Sequence, residues 1–456
     1  LIALDLANKR VLVVGLGKSG VASALFLNER GASVTVSDTK SPDQLKEEIP
    51  LLLDHGIAVE TGGHGERTFR GQDLIVVSPG VPYDAPPLVQ ARLQGEPVIG
   101  EVELAAENLT GSIIAITGSN GKTTTTTLVG EILAAAEVKT LVGGNIGTPA
   151  ISLVERATPE TVTVLEVSSF QLETIKTFRP KVAVVLNITP DHLDRHRTFD
   201  AYVNAKARIF ENQQGSDFAV LNEDDETCLK LADVVKAPLF WFSRKKEVGQ
   251  GAFVSDGRLL FRDAHGEAEI MLVSEIPLKG AHNVENVLAA VCTAALMGCR
   301  PDQIRKAVAN FKAVEHRIEY VATINGVEYY NDSKATNVDA TIKALESFPK
   351  NIHLILGGKD KGSPYTVLRD LLRERVKRVY TIGAAAAKIE AEIQGSTEVV
   401  HAETLENAIK RAHAVAQPGD VVLLAPACAS FDQFKGYEHR GRLFKEVVRG
   451  LAGAVK

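Results

Sequence analysis

Cysteine is scarce: Cys228, Cys292, Cys299 and Cys428 are the only four in 456 residues, and no two form a C-x-x-C pair. That usage fits buried thiols in a reducing cytosol. An excess of positive charge is missing as well. With 51 basic residues against 57 acidic ones the net charge is −6, which leaves neither a nucleic-acid-binding stripe nor a polybasic membrane anchor. Long apolar runs are absent. The longest near-apolar stretch, Val287 to Met297, falls well short of the roughly 20 residues a membrane span needs. Leu1 to Lys9 has no signal-peptide hydrophobic region. A cytoplasmic protein is expected. What the chain does have is 45% hydrophobic content, enough for full cores. Its length suggests three domains at about 150 residues each.

The stretch from Ile113 to Thr127, I-I-A-I-T-G-S-N-G-K-T-T-T-T-T, organises the rest. A short apolar run predicts a buried parallel strand. It breaks into Gly118-Ser119-Asn120-Gly121, then Lys122, Thr123 and a helical pattern from Thr124 to Ala136. A strand feeding a glycine loop that opens a helix aims backbone N–H groups and the positive helix end at one spot, suited to a polyphosphate. Lys122 would reach the outer phosphates and the Thr123 hydroxyl would hold Mg²⁺. The spacing is G-x-x-G-K-T, with Ile116 where the usual G-x-x-x-x-G-K-[ST] has its first glycine. The protein is expected to bind a nucleoside triphosphate.

An α/β chain of doubly wound character surrounds this loop. Val11 to Val14 leads into Gly15-Leu16-Gly17-Lys18-Ser19-Gly20 and a helix from Val21 to Asn28. Strands follow at Ser33 to Ser37, ending at Asp38, and at Leu74 to Val77, ending at Ser78-Pro79-Gly80. This G-x-G-x-x-G with an acid about 20 residues on taken alone predicts NAD(P). Any nucleotide diphosphate can sit on that helix end, and tight packing without a ligand is a further alternative. After Glu96 to Gly111, a connection plus short helix, strands Thr161 to Leu165 and Val182 to Leu186 end at Glu166 and Asn187. Open α/β sheets bind ligands at such ends, and Glu166 takes the place of a carboxylate that holds Mg²⁺.

Asp191-His192-Leu193-Asp194-Arg195-His196 pairs two histidines four apart. Without the glutamate of H-E-x-x-H or an obvious third ligand, zinc is not expected. Asn283 and Asn286 lie on one face at the first turn of a helix running to Met297, either to read a purine edge or to cap. Residues 218–276 show short strands with glycine turns and no chemistry. From Ala313 the last domain carries His316-Arg317 and three strand-end clusters: Asn331 to Asn337, Gly357 to Gly362, and Ala427 to Ser430. Cations at strand ends of a net negative chain predict an anionic small molecule. Finally, Phe199, Val203, Lys206 and Phe210 form an inward helical stripe. A lysine there either packs its stem and sends its amine to water or holds a neutral amine able to capture CO₂.

These segments resemble the Mur ligases of bacterial cell-wall synthesis, end to end. T-G-S-N-G-K-T and N-D-S-K-A-T-N are similar to segments across that family; S-S-F-Q-L-E (Ser168 to Glu173) and P-A-C-A-S-F-D-Q-F-K (Pro426 to Lys435) are similar to the member that adds D-glutamate. The resemblance implies three domains: 1–99 Rossmann-like for a UDP substrate, 100–312 a P-loop-type ATPase with a parallel sheet, and 313–456 Rossmann-like for the amino acid. It implies Ser19, Asp38, Thr39 and Gly80 at UDP, and Asn145 and His192 at the muramoyl peptide. Gly118, Ser119, Asn120, Gly121, Lys122, Thr123, Thr124, Asn283, Asn286, Arg317 and Asp332 would serve ATP. Lys334, Thr336, Lys361, Ser430 and Tyr437 would surround D-glutamate. Two Mg²⁺ ions would use Thr123, Glu166, His192 and a CO₂-derived carbamate on Lys206; Lys122, His192, Lys206 and Glu166 would be catalytic.

The implied reaction is ATP-dependent amide formation between D-glutamate and UDP-N-acetylmuramoyl-L-alanine through an acyl phosphate. It belongs to peptidoglycan precursor synthesis, hence to cell shape and division. The expected partners are these small molecules, with no nucleic acid and no membrane span, acting on a monomer. The family member that this chain most resembles has Phe at the Tyr437 position, and its G-G-D-G-K becomes Gly357-Gly358-Lys359-Asp360-Lys361 here, which leaves Lys359 and Asp360 without assigned roles.

Overall fold

The computed structural model describes residues 6–145, 147–312 and 314–453. Ala313, the expected start of the last domain, lies outside the described residues, as do Ile146 and residues 1–5 of the leading stretch.

Three α/β sheets follow in chain order. The first is parallel throughout, in the order Ala58–Thr61, Ser33–Asp38, Arg10–Val14, Leu74–Val77, Val98–Gly100. The sequence predicts three of these strands. Val98–Gly100 lies in the stretch expected to be connection, since it has only three residues, and Ala58–Thr61, an edge strand with no fully buried residue, lacks an apolar run to betray it. Strand order reverses beside Arg10–Val14, and the Gly15 to Gly20 loop opens there. The third glycine packs closest: a Cβ on Gly20 would stand 1.9 Å from the Gly15 carbonyl oxygen.

The central sheet runs Thr140–Gly144, Val162–Glu166, Ser112–Thr117, Val182–Val185, Phe218–Asn222, Leu239–Ser243, Gly251–Ser255, all parallel. Arg258–Asp263 and Gly266–Leu272 continue it as antiparallel hairpin strands. The middle strands are apolar on both faces because helices cover both, as in buried parallel sheets generally. The third sheet orders Glu319–Ile324, Val327–Asn331, Val421–Leu424, Ile352–Gly357, Val376–Ile382, Glu398–Glu403, with the first pair antiparallel.

One apolar cluster runs from Leu6 through Val76, Leu104 and Ile151 to Leu221, joining the first and central domains. The clusters on the two faces of the third sheet begin at Ile318 and Ile324 and draw on that domain alone. Two domains thus share a core, while the third meets the phosphate loop through polar side chains, described next.

Candidate functional site

The strand Ser112–Thr117 ends in the glycine loop, and the helix Lys122–Ala135 opens from it. Gly121 has φ +86°, a left-handed backbone, and a Cβ there would come within 2.1 Å of Asn286 Oδ1. Glycine is required on both counts. Ser119 Oγ donates to the Thr189 carbonyl at 2.9 Å and meets Tyr202 Oη at 3.0 Å. Asn120 and Asn187 exchange two hydrogen bonds, 2.9 and 3.1 Å. Lys122 Nζ donates to the carbonyls of Gly118 (2.8 Å) and Ser119 (2.9 Å). Burial lowers its pKa, against the opposing pull of Glu166 and Asp191.

Glu166, at the end of its strand, accepts from Thr123 Oγ1 at 2.8 Å and from Asn145 Nδ2 at 2.8 Å. Lys334 of the third domain donates to the same Thr123 hydroxyl and lies 5.2 Å from the Tyr437 ring centre. Burial brings the Lys334 pKa down to about 8. A hydroxyl and a carboxylate already met by an ammonium are hard oxygen donors in a place that takes a cation, so the residues fit Mg²⁺.

Lys206 is 1% exposed. Its amine does not reach water; it donates to the Gly118 carbonyl at 2.9 Å and to Thr117 Oγ1 at 3.3 Å. Burial first, then Lys122, hold its pKa well below the ordinary lysine value. A neutral amine is the form that reacts with CO₂, so the position fits a carbamate. His192 has a left-handed backbone (φ +54°). Burial lowers its pKa to about 4, partly offset by Asp191. His196 turns elsewhere, to Ser169 Oγ (2.9 Å) and Glu173 Oε1 (3.2 Å).

Asn286 Nδ2 donates to Asn283 Oδ1 (3.1 Å), and Asn283 Nδ2 to the Lys279 carbonyl (2.6 Å). Neither caps the helix Ala281–Leu296. A cavity of about 290 Å³ beside them is lined by Thr124, Leu278, Asn283, Arg317 and Tyr330 among others. The buried Thr124 hydroxyl has no protein partner, and Asp332 Oδ1 has no hydrogen bond, only Arg317 Nη1 at 3.7 Å. Burial pushes Asp332 up to about 6, against Arg317. These are orphaned polar atoms that a nucleotide would satisfy.

A second cavity, about 560 Å³, collects Ser19, Asp38, Thr39 and Gly80 from the first domain, Asn145 and Gln171 from the central one, and Tyr437 from the third. Asp38 braces the glycine loop there: Oδ2 accepts from Leu16 N at 2.6 Å and Oδ1 from Lys40 N at 2.8 Å. Tyr437, expected at the amino acid, lines this cavity as well as facing Lys334.

Three residues without a role in the sequence analysis, Asp191, Asn337 and Asp339, tie the third domain down. Asp191 accepts from Asn337 Nδ2 at 3.0 Å and pairs with Lys361 at 3.6 Å. Burial alone would raise the Asp191 pKa, but Lys361, His192 and Asn337 bring it below the ordinary value. Asp339 accepts from Asn120 Nδ2 at 2.6 Å and Thr189 Oγ1 at 3.3 Å. A fourth such residue, Tyr202, reaches Ser119 within the central domain. Partners up to 219 residues apart leave no local signal. Around them, Thr336 N bonds the Lys334 carbonyl at 2.8 Å, and buried Ser430 accepts from Phe434 N at 2.9 Å through its own carbonyl. Behind the strand-end loops, fully buried Arg440 donates to Ser333 O (2.8 Å), Ser333 Oγ (3.0 Å), Cys428 O (3.2 Å) and Gly357 O (3.5 Å). Burial lowers it to about 10, still charged at neutral pH.

Three family descriptions match the chain: the MurD-like N-terminal domain of Mur ligases over residues 9–100, the Mur ligase middle domain over 116–294 and the Mur ligase glutamate ligase domain over 316–428. The UDP-N-acetylmuramoylalanine–D-glutamate ligase of Koribacter versatilis is 69% identical over 98% of this chain and 99% of its own. The chain belongs to the Mur ligase family. The ligase of the same name from Acidobacterium capsulatum is 59% identical to this Mur ligase over 99% of the chain and 98% of its own. The fold of this Mur ligase is also similar to that of the MurF ligase of Thermotoga maritima, solved in complex with ADP. That likeness has TM-score 0.61 at 17% identity, over 98% of this chain and 99% of that one. A pseudomurein peptide ligase type C from Methanothermus fervidus gives TM-score 0.60 at 20% identity over 97% and 100%. Among the described residues of this Mur ligase, no helix is long and apolar enough to cross a membrane.

Proposed function

We propose that this Mur ligase joins D-glutamate to UDP-N-acetylmuramoyl-L-alanine at the expense of ATP, in peptidoglycan precursor synthesis. The observation that carries the reading is the cavity lined from all three domains, whose Asn145 donates to Glu166, the carboxylate that also accepts from Thr123 at the phosphate loop, where Lys334 meets the same hydroxyl. We assign the UDP substrate to 1–99, ATP to 100–312 and the amino acid to 313–456.

A carboxylate is a poor electrophile, so ATP first phosphorylates the terminal L-alanine carboxylate. Lys122 and the amides of Gly118 to Thr123 stabilise charge on the transferring phosphoryl. Thr123 and Glu166 would hold one Mg²⁺, and His192 with a carbamate on Lys206 a second; the ions supply charge neutralisation on the phosphates. Asn283, Asn286, Arg317 and Asp332 address the nucleoside. Ser19, Asp38, Thr39 and Gly80 hold the UDP end, with Asn145 and His192 toward the muramoyl peptide. Lys334, Thr336, Lys361, Ser430 and Tyr437 receive D-glutamate, whose amine attacks the acyl phosphate to give the amide and release phosphate, ADP having formed in the phosphorylation step. With a conjugate acid near 4, neutral His192 suits a metal ligand better than the base that deprotonates the incoming ammonium.

The test is phosphate release from ATP with UDP-N-acetylmuramoyl-L-alanine, scanned over D- and L-amino acids. Release should require the acceptor and respond to D-glutamate. Fast acceptor-independent hydrolysis, or preference for another amino acid, overturns the reading.

A further inference from the structure

Asp360 follows the strand Ile352–Gly357 in the loop from which Lys361 reaches Asp191. Its carboxylate gathers three donors from three places. Oδ1 accepts from Gly362 N at 3.2 Å and from the Tyr365 hydroxyl at 2.9 Å; Oδ2 accepts from Lys388 Nζ at 2.8 Å, out of the helix Ala386–Glu392. Tyr365 is 1% exposed, its backbone N–H donates to Glu392 Oε2 at 2.6 Å, and its hydroxyl also meets Cys428 Sγ at 3.0 Å. On the other side of Asp360, Lys359 and Ala429 exchange two backbone hydrogen bonds, 2.8 and 3.0 Å. Loop 359–365 and loop 427–430 are therefore one tied unit with Asp360 at its middle.

A half-exposed aspartate facing a single lysine contributes little. Asp360 differs because one of its donors is a buried phenol and another is the amide next to Lys361. A long lysine side chain can be aimed only if the backbone it springs from is fixed. We propose that Asp360, acting through Tyr365 and Lys388, is a positioning residue for the amino-acid end of the site. It fixes the loop that aims Lys361 and, through Tyr365 and Cys428, the loop that carries Ser430. The proposal rests on the assignment of Lys361 and Ser430 to D-glutamate made above. Nothing that Asp360 touches is assigned to ATP or to the UDP substrate, so its influence is confined to the amino acid.

The experiment compares Asp360→Asn, Tyr365→Phe and the double variant of the full chain. Steady-state constants for all three substrates are measured beside amide hydrogen exchange. The KM for D-glutamate should rise roughly tenfold, the scale of one charge-assisted hydrogen bond. kcat should stay within about twofold, the other two KM values should not move, and the double variant should be no worse than the poorer single one. Exchange should quicken in 359–365 and 427–430 alone. An unchanged KM for D-glutamate, or kcat and all three KM values shifting together with additive effects, overturns the proposal. Should the unaltered protein prove indifferent to D-glutamate, the functional reading falls, and exchange decides the positioning role by itself. Unaltered protection of both loops in Asp360→Asn then overturns it, and loss of protection confined to them upholds it.

Discussion

Lys334 donates a hydrogen bond to the hydroxyl of Thr123, across 211 residues of sequence. The contact sets an ammonium of the third domain against the hydroxyl and carboxylate at the start of the phosphate helix. The third domain is thus docked in part through the residues that open the phosphate helix. The following predictions test separate parts of that arrangement.

Asp339 is the simplest docking contact to remove, since it touches Asn120 and Thr189 and no residue assigned to D-glutamate. Asp339→Ala should weaken closure and lower kcat roughly tenfold, the scale of one charge-assisted bond. The radius of gyration from small-angle scattering should rise, with circular dichroism unchanged. An unaltered radius and rate would place the docking energy elsewhere.

Lys122→Ala removes the cation from the transferring phosphoryl. Activity should fall roughly 10²-fold or more, while calorimetric binding of the UDP substrate in its own cavity persists. Near-normal turnover would contradict the organising role given to the glycine loop.

Lys206→Ala should lose most activity, and added acetate should restore part of it by supplying the missing carboxylate. Labelling the unaltered protein with ¹³CO₂ should give a carbamate carbon resonance that the variant lacks. Absence of that resonance at saturating CO₂ would end the carbamate assignment.

Glu101, in the core shared by the first two domains, gives a pH prediction. Burial pushes its pKa from 4.5 to about 7, against hydrogen bonds from Ile151, Gln171 and Ala150. A raised folded-state pKa means stability is fully present below 4.5 and is lost as pH rises through 7, about 3 kcal/mol in all. The Tm of Glu101→Gln relative to the unaltered protein should therefore climb between pH 5 and pH 8. A pH-independent difference would show that Glu101 does not titrate there.

Much of this was readable from the residues alone, for a physical reason. The phosphate loop, the Gly15 to Gly20 turn and the strand ends at Glu166 and Asn187 are local: a few neighbouring residues fix both backbone and chemistry. Lys206 announced itself by breaking an apolar stripe. Ala58–Thr61 and Val98–Gly100 escaped because short or half-buried strands take their identity from neighbours in the sheet. Asp191, Asn337 and Asp339 escaped because a carboxylate or amide on a loop looks the same whether it faces water or another domain. Only packing between distant segments separates the two cases.

Arg440 comes late in the chain that it ties together. Ser333 precedes it by 107 residues, Gly357 by 83 and Cys428 by 12, so on the ribosome all three loops are synthesised before the one guanidinium that ties them. Until it emerges the loops are joined only in pairs by backbone hydrogen bonds, Lys359 with Ala429 and Ala427 with Ala335, without the guanidinium that spans all three. The three loops thus gain their shared buried tie only once Arg440 has been made, long after the strand Ser112–Thr117 and its glycine loop have left the ribosome.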